Sequence, residues 1–336
     1  MMPFVRGIVL VFALAGCAHV PVPVAPAGKI LWFDRNPSQG YEWSFFLYMP
    51  PGVTDDMSAV PLLVMPNNSG VVDDQPGVHR GAALKALFSH RAYAERLNAV
   101  LLMPAFPRPA SKSELYTHAL DRDSLLVKDG DLRRIDLQLL AMIVATQKFM
   151  NAPADAKVLL FGFSAAGMFA NRFALLHPEK VLAAAVGSPG GWPMAPLSQW
   201  KSERLRYPLG SADLAELVGQ PLEIESTRHV KFFFFLGSRD ENDSLAFRDG
   251  YDEEDEALAM RVLGRTPVER WPVAEEMYRQ VGADVEFRLY PNVGHDLTDE
   301  MDADVLAFFT KALSSNSVRP AVSSTKGAWR SRFSMR

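Results

Sequence analysis

The chain of 336 residues holds a single cysteine, Cys17. No disulfide can close within it, and no cysteine set can hold a zinc ion or an iron–sulfur cluster. Long apolar runs are also missing. The apolar stretches at residues 7–14 and 230–236 both fall far short of the ~20 residues a membrane-spanning helix needs. Neither sign of charge dominates. There are 35 basic and 39 acidic side chains, and the net charge of −4 is spread along the chain, which leaves no basic footprint for a nucleic acid. No segment repeats at a solenoid or propeller period. The seven histidines show no zinc-ligand spacing, and no glycine-rich loop ends in the lysine of a P-loop. The acidic run Asp249, Asp252, Glu253, Glu254, Asp255 and Glu256 does not match EF-hand spacing and reads as a solvated charged loop. Neither a metal nor a cofactor is expected.

What is present is globular in character, with 48% hydrophobic and 22% charged residues, enough for one large domain or two small ones. An aromatic strand-like stretch at 41–48 is followed by apolar strand-like runs at 61–65, 99–103, 158–161, 181–186, 230–236 and 285–290. Helical periodicity fills the gaps, at 79–97, 131–150, 165–176, 272–281 and 299–313. That alternation predicts a mainly parallel central sheet with helices on both faces. Ligands then gather at the carboxyl ends of the strands. Residues 194–228 lack strand periodicity and hold a short helical patch at 214–218; they read as a cover insertion after the strand at 181–186.

Chemistry concentrates at one junction. Lys157-Val-Leu-Leu-Phe-Gly-Phe-Ser-Ala-Ala-Gly167 is a short buried strand, a turn centred on Ser164, and the start of a small-residue helix. A serine lifted out on such a turn is a nucleophile elbow, and the turn demands small residues two places either side, met by Gly162 and Ala166. An ordinary strand-to-helix turn with a capping serine is the competing reading. A serine hydroxyl needs a base, and the base needs an orienting partner. His295 alone among the histidines follows a strand directly, in Tyr290-Pro-Asn-Val-Gly-His295, where Gly294 is expected to give the loop its close approach to the serine. His79, His90, His118, His177 and His229 lie in helical or loop settings and read as structural. The acid is expected between serine and histidine in chain order. Asp240 is the first carboxylate past the phenylalanine-rich strand, with Asp243 as its rival. Two backbone donors are needed for the oxyanion: the amide of Ala165, and one from the loop Pro66-Asn67-Asn68, where Asn68 is chosen and Asn67 is next. Phe163 and Trp192 are candidates to line a substrate pocket, with Trp200 beside them.

The Gly162–Gly167 elbow, the Gly237–Asp240 turn and the Gly294-His295 loop, in that order, resemble the α/β-hydrolase family over residues 41–313. The loop register and Pro189-Gly-Gly-Trp192 are similar to the esterase branch that includes secreted polyhydroxyalkanoate depolymerases and feruloyl esterases. This resemblance implies the α/β-hydrolase fold and cofactor-free hydrolysis of a small or polymeric carboxylic ester through an acyl-enzyme. It leaves the substrate open, because one fold hosts many activities. A serine peptidase using the same triad and a non-catalytic envelope binding protein are the alternatives.

The amino terminus is read as a targeting segment. Arg6 precedes the apolar stretch, and Leu14-Ala-Gly-Cys17 resembles the bacterial lipobox at all four positions. That resemblance implies cleavage before Cys17, a diacylglyceryl group on its thiol, and a membrane partner held through the lipid. The expected organisation is a signal peptide at 1–16, a proline-containing tether at 17–28, a hydrolase domain at 29–313 and a disordered basic tail at 314–336. The expected location is the cell envelope, on the outer membrane or periplasmic face of a Gram-negative host.

Overall fold

A computed structural model describes residues 6–7, 28–54 and 56–317. Cys17, the tether through residue 27, the tail from 318 and all of the expected signal segment except Arg6 and Gly7 lie outside the described residues. Eight strands form the central sheet: β1 (Lys29–Phe33), β2 (Phe45–Met49), β3 (Leu62–Val64), β4 (Val100–Pro104), β5 (Val158–Phe163), β6 (Val181–Gly187), β7 (Lys231–Gly237) and β8 (Asp284–Tyr290). Their order is β1-β2-β4-β3-β5-β6-β7-β8. The β1–β2 and β2–β4 pairs are antiparallel, and every pair from β4 to β8 is parallel. The two-residue segment Arg6–Gly7 pairs antiparallel with the outer edge of β1.

Helices cover both faces, as the alternation predicts. They are α1 (Pro76–Leu97), α2 (Ile135–Phe149), α3 (Ala165–Leu176), α4 (Glu253–Val262), α5 (Pro267–Gln280) and α6 (Asp299–Ser317). On one face, Leu139 and Met142 of α2, Phe169 and Phe173 of α3, and Tyr278 of α5 join one core. On the other, Leu87 and Tyr93 of α1 and Val305 and Phe309 of α6 join a second. The four consecutive phenylalanines of β7 explain themselves in this frame. Side chains alternate across a strand, so Phe232 and Phe234 enter the first core and Phe233 and Phe235 the second. Burying each ring is worth roughly 1.5–3 kcal/mol relative to leaving it in water.

Several elements differ from the sequence reading. The acidic run read as a loop opens α4: Asp252 takes the N-cap position, and Glu253, Glu254, Asp255 and Glu256 all stand in the first turn. Negative side chains there complement the helix dipole, so the charge that suggested solvent is a helix start. Helix α5 begins at Pro267 rather than at Pro272, because the Thr266 hydroxyl accepts from the Glu269 amide and Pro267 fits the first turn; Pro272 is carried inside the helix. The aromatic stretch at 41–48 becomes a strand only from Phe45, while Tyr41 makes an isolated bridge with Asn36. Helix α6 continues to Ser317, past the expected end at 313. Between β6 and β7 lies the insertion, with the hairpin Gln199–Trp200 and Glu203–Arg204 and the short helices Leu214–Val218 and Ile224–Thr227.

Candidate active site

Strand β5 delivers Ser164 to the carboxyl end of the sheet, and α3 departs immediately behind it. Ser164 has φ 61° and ψ −128°, a region that L residues rarely adopt and that costs on the order of 1–3 kcal/mol. Surrounding contacts hold it there. The Ser164 amide donates to Gly187 O at 3.0 Å, and the Met168 amide donates to Ser164 O at 3.0 Å. Space decides the neighbouring residues. A β-carbon on Gly162 would lie 2.0 Å from Ala166 O, and one on Gly167 would lie 2.5 Å from Gly187 O. Glycine is thus required at 162 and 167, whereas the backbone at 166 carries an alanine.

The three residues expected to act together converge. The Ser164 hydroxyl lies 3.0 Å from His295 Nε2. On the other side of the ring, His295 Nδ1 lies 3.1 and 3.0 Å from the two carboxylate oxygens of Asp240. Asp240 is 3% exposed. Burial acts to raise its pKa, but the hydrogen bonds from His295 and from the Asn242 amide (2.9 Å) outweigh it and hold the carboxylate below the usual 3.8. An ionised Asp240 keeps the ring proton on Nδ1 and leaves the Nε2 lone pair facing Ser164. Asp243, the rival acid, is turned away into an ion pair with the fully buried Arg270.

One detail of the histidine loop differs from expectation. A β-carbon on Gly294 would make only ordinary contacts, the nearest at 3.9 Å to Arg239 O and Asp296 Oδ2. The close approach is at Gly237, the end of β7, where a β-carbon would fall 2.3 Å from Val293 O and 2.4 Å from Gly294 O. The acid turn is the side that must be bare.

The loop after β3 runs at the same end of the sheet. Asn67 is buried, and its side chain clamps the Phe106 backbone, with Nδ2 donating to Phe106 O at 2.8 Å and Oδ1 accepting from Phe106 N at 3.1 Å. His118 Nε2 reaches the same carbonyl at 2.9 Å; burial pushes this imidazole down to about 4, so it is neutral. Asn67 is therefore an internal brace for the loop. Asn68 is half-buried, and its amide has no hydrogen-bond partner among the described residues. The Ala165 amide, at the first position of α3, likewise has no partner within the helix.

The pocket-lining candidates separate. Phe163 is half-buried, with its ring centroid 5.0 Å from that of His295. Trp192 is not available to a substrate. It is fully buried, its indole N–H donates to Leu209 O at 3.0 Å, and it packs with Ala165 and Met168 of α3 and with Leu205. The insertion supplies Leu205 and Leu209, and their burial of the tryptophan is what the linear sequence hides. Of the other described histidines, His177 contacts Asp136 at 3.0 Å, and His79 and His90 bind the carbonyls of Asp73 and Ala86. His229 is exposed. Sequence reasoning missed Asn242, whose side-chain Nδ2 lies 3.2 Å from His295 Nε2. A polar residue two places after the acid carries no signal of its own.

Fold and site together define the class: this chain has the α/β-hydrolase fold, with a serine, a histidine and an aspartate meeting at the ends of β5, β8 and β7. No family model matches the chain, and no curated protein matches it by sequence. Among solved structures it is similar to poly(aspartic acid) hydrolase-1 from Sphingomonas sp. KT-1, with a TM-score of 0.52 and 16% identity over 87% of this chain and 98% of that one. It is also similar to a poly(3-hydroxybutyrate) depolymerase from Bordetella parapertussis, with a TM-score of 0.50 and 19% identity over 88% of this chain and 92% of that one. At such identities the likeness is one of fold.

Proposed function

We propose that the chain is a serine hydrolase that cleaves carboxylic esters through an acyl-enzyme. The carrying observation is the continuous hydrogen-bonded line from Ser164 Oγ through His295 to Asp240. In this reading His295 Nε2 takes the hydroxyl proton as Ser164 Oγ attacks the ester carbonyl. The oxyanion accepts from the amides of Ala165 and Asn68. The proton then passes from Nε2 to the leaving alkoxide, the carbon–oxygen bond breaks, and an acyl group remains on Ser164. A water activated by the same nitrogen releases the acid and restores the serine. Phe163 forms one wall beside the imidazole. Of the named neighbours, one acts by its name on poly(3-hydroxybutyrate), a polyester, and the other on poly(aspartic acid), a polyamide; with the first in view, polymeric as well as small esters are proposed as substrates here. Attachment to the envelope through a lipid on Cys17 is part of the same proposal, supported by Leu14-Ala-Gly-Cys17, and the mass of the mature amino-terminal peptide tests it.

The test is covalent labelling with a fluorophosphonate, together with turnover of chromogenic esters of graded acyl length and of a peptide panel. Ser164→Ala is expected to lose both labelling and ester turnover with an unchanged thermal melt. A folded wild-type protein that neither labels nor turns over any ester overturns the reading, and cleavage confined to peptides replaces ester with amide hydrolysis.

A further inference from the structure

We infer that Asn242 is a positioning residue for His295, following the proton through the catalytic cycle. The inference rests on the hydrolase reading above and adds a fourth member to its hydrogen-bonded line. Asn242 touches both ends of the charge system. Its backbone amide donates to Asp240 Oδ1 at 2.9 Å, and its side-chain amide sits 3.2 Å from His295 Nε2, the nitrogen that also faces Ser164 at 3.0 Å.

Two donors therefore share one lone pair. While the imidazole is neutral, the Asn242 Nδ2–H and the Ser164 O–H both point at Nε2. When Nε2 has taken the serine proton, that arrangement reverses, because an N–H now needs an acceptor. A carboxamide meets both demands in one volume: a half-turn about its terminal bond exchanges Nδ2 for Oδ1 at the same distance. Asn242 can thus donate to the neutral ring and accept from the imidazolium. It keeps the ring in the plane that links Asp240 to the serine and to the leaving oxygen. No other protein side chain makes a hydrogen bond to His295 Nε2 among the described residues.

The charged surroundings leave this role to Asn242. The carboxylate touching the ring is Asp240, on the Nδ1 side. Phe163, from β5, faces the ring with an uncharged surface. Asp243, one residue after Asn242, is held by Arg270 from α5. Arg239, on the same turn, and Asp296, next to the histidine, are exposed. The turn itself is fixed by the Arg239 amide, which donates to Val293 O at 2.8 Å, so Asn242 is presented from a braced segment.

The experiment compares Asn242→Ala and Asn242→Asp with the wild type in two readouts. In turnover of a chromogenic ester, Asn242→Ala is expected to lower kcat about tenfold, the scale of one lost hydrogen bond to a group that becomes charged, with KM within about twofold. Asn242→Asp keeps the shape but can only accept, so it favours the protonated ring: its kcat falls at neutral pH and recovers as pH is raised, moving the acidic limb of the profile upward. The second readout needs no activity. In protein carrying ¹⁵N-histidine and Ser164→Ala, where the competing donor is gone, adding Asn242→Ala is expected to move the His295 Nε2 resonance. A silent resonance, an unchanged kcat in both variants, or equal losses in both that track a lowered melting temperature would overturn the inference. A folded wild type that turns over no ester refutes the hydrolase reading instead, and the resonance still decides whether Asn242 holds the ring.

Discussion

Replacing Gly237 with alanine puts one methyl group where the structure has no room for it. The new carbon would sit 2.3 Å from Val293 O and 2.4 Å from Gly294 O, whereas a carbon and an oxygen settle at about 3.3 Å or more. The histidine loop must therefore withdraw by about 1 Å. It cannot do so freely, because the Ser238 amide holds Tyr290 O at 2.8 Å and the Arg239 amide holds Val293 O at 2.8 Å. Part of the strain appears as lost stability of about 1–3 kcal/mol. The rest moves His295, which follows Gly294 directly. A 1 Å retreat stretches the 3.0 Å contact to Ser164 to about 4 Å, beyond hydrogen-bonding range. Misplacement on that scale costs on the order of 10²-fold in rate, or about 2.7 kcal/mol. The assay is steady-state turnover of a short-chain chromogenic ester at a temperature well below the melt: kcat is expected to fall about 10²-fold with KM little changed. Gly294→Ala is the internal control. Its β-carbon would meet nothing closer than 3.9 Å, and Gly294 is absent from the glycines with positive φ, so its kcat stays within about twofold of wild type. A Gly237→Ala enzyme at wild-type kcat, or a Gly294→Ala enzyme equally damaged, would refute the reasoning.

Asp240→Asn is expected to lower kcat by about 10³–10⁴-fold, because the amide no longer fixes the imidazole tautomer; Asp243→Asn instead breaks the pair with buried Arg270 and shows as a lower melting temperature. Parallel kinetics and melts on the two variants separate acid from brace. Asp121 gives a pH signature: burial raises its pKa from 3.8 to about 7, so the unfolded chain releases this proton near pH 4 while the folded one keeps it. Folding stability on this account falls from about pH 4 to about pH 7 and stays low above that, and Asp121→Asn removes the decline. Urea midpoints at pH 4 and pH 8 check it: the variant gains on wild type at the higher pH, and an equal difference at both pH values contradicts the assignment.

The parts of this molecule that were legible in its sequence are those where backbone pattern and chemistry coincide. Parallel strands end at one rim, so a serine, an acid and a histidine placed directly after apolar runs were bound to meet there, and Ser164, Asp240 and His295 do. What stayed hidden depends on partners distant in the chain. Nothing near Asp243 announces that Arg270, 27 residues on, will claim it. Trp192 next to two glycines has the look of a pocket wall until Leu209 and Leu205 fold over it. Glycine spacing pointed at Gly294 because it adjoins the base, but a close approach has two sides, and the bare side proved to be Gly237. The acidic run misled for a related reason: charge that is merely solvated and charge that starts a helix have the same composition, and only the following apolar residues Leu258 and Ala259, buried against the insertion, distinguish α4.

The rim loops are also tied from behind to the helix that follows Ser164, which makes the distances among Ser164, His295 and Asp240 a property of the frame rather than of three free side chains. Arg172, on α3 and fully buried, donates to Ala119 O at 2.9 Å and to the Tyr251 hydroxyl at 2.9 Å. Its guanidinium thus joins the helix behind Ser164 to the segment after β4 and to the segment after β7. The first of these contains His118, which braces the Phe106 carbonyl shared with Asn67, and so the loop carrying Asn68. The second follows Asp240 and Asn242. A planar donor fork with no lone pair suits such a junction, since carbonyls and a hydroxyl converge on it from different directions. Because an unpaired buried cation is costly, the arrangement holds only while both segments stay in place. The loop that carries Asn68 and the turn that carries Asp240 are therefore both tied to the helix that follows Ser164 through one buried side chain of α3.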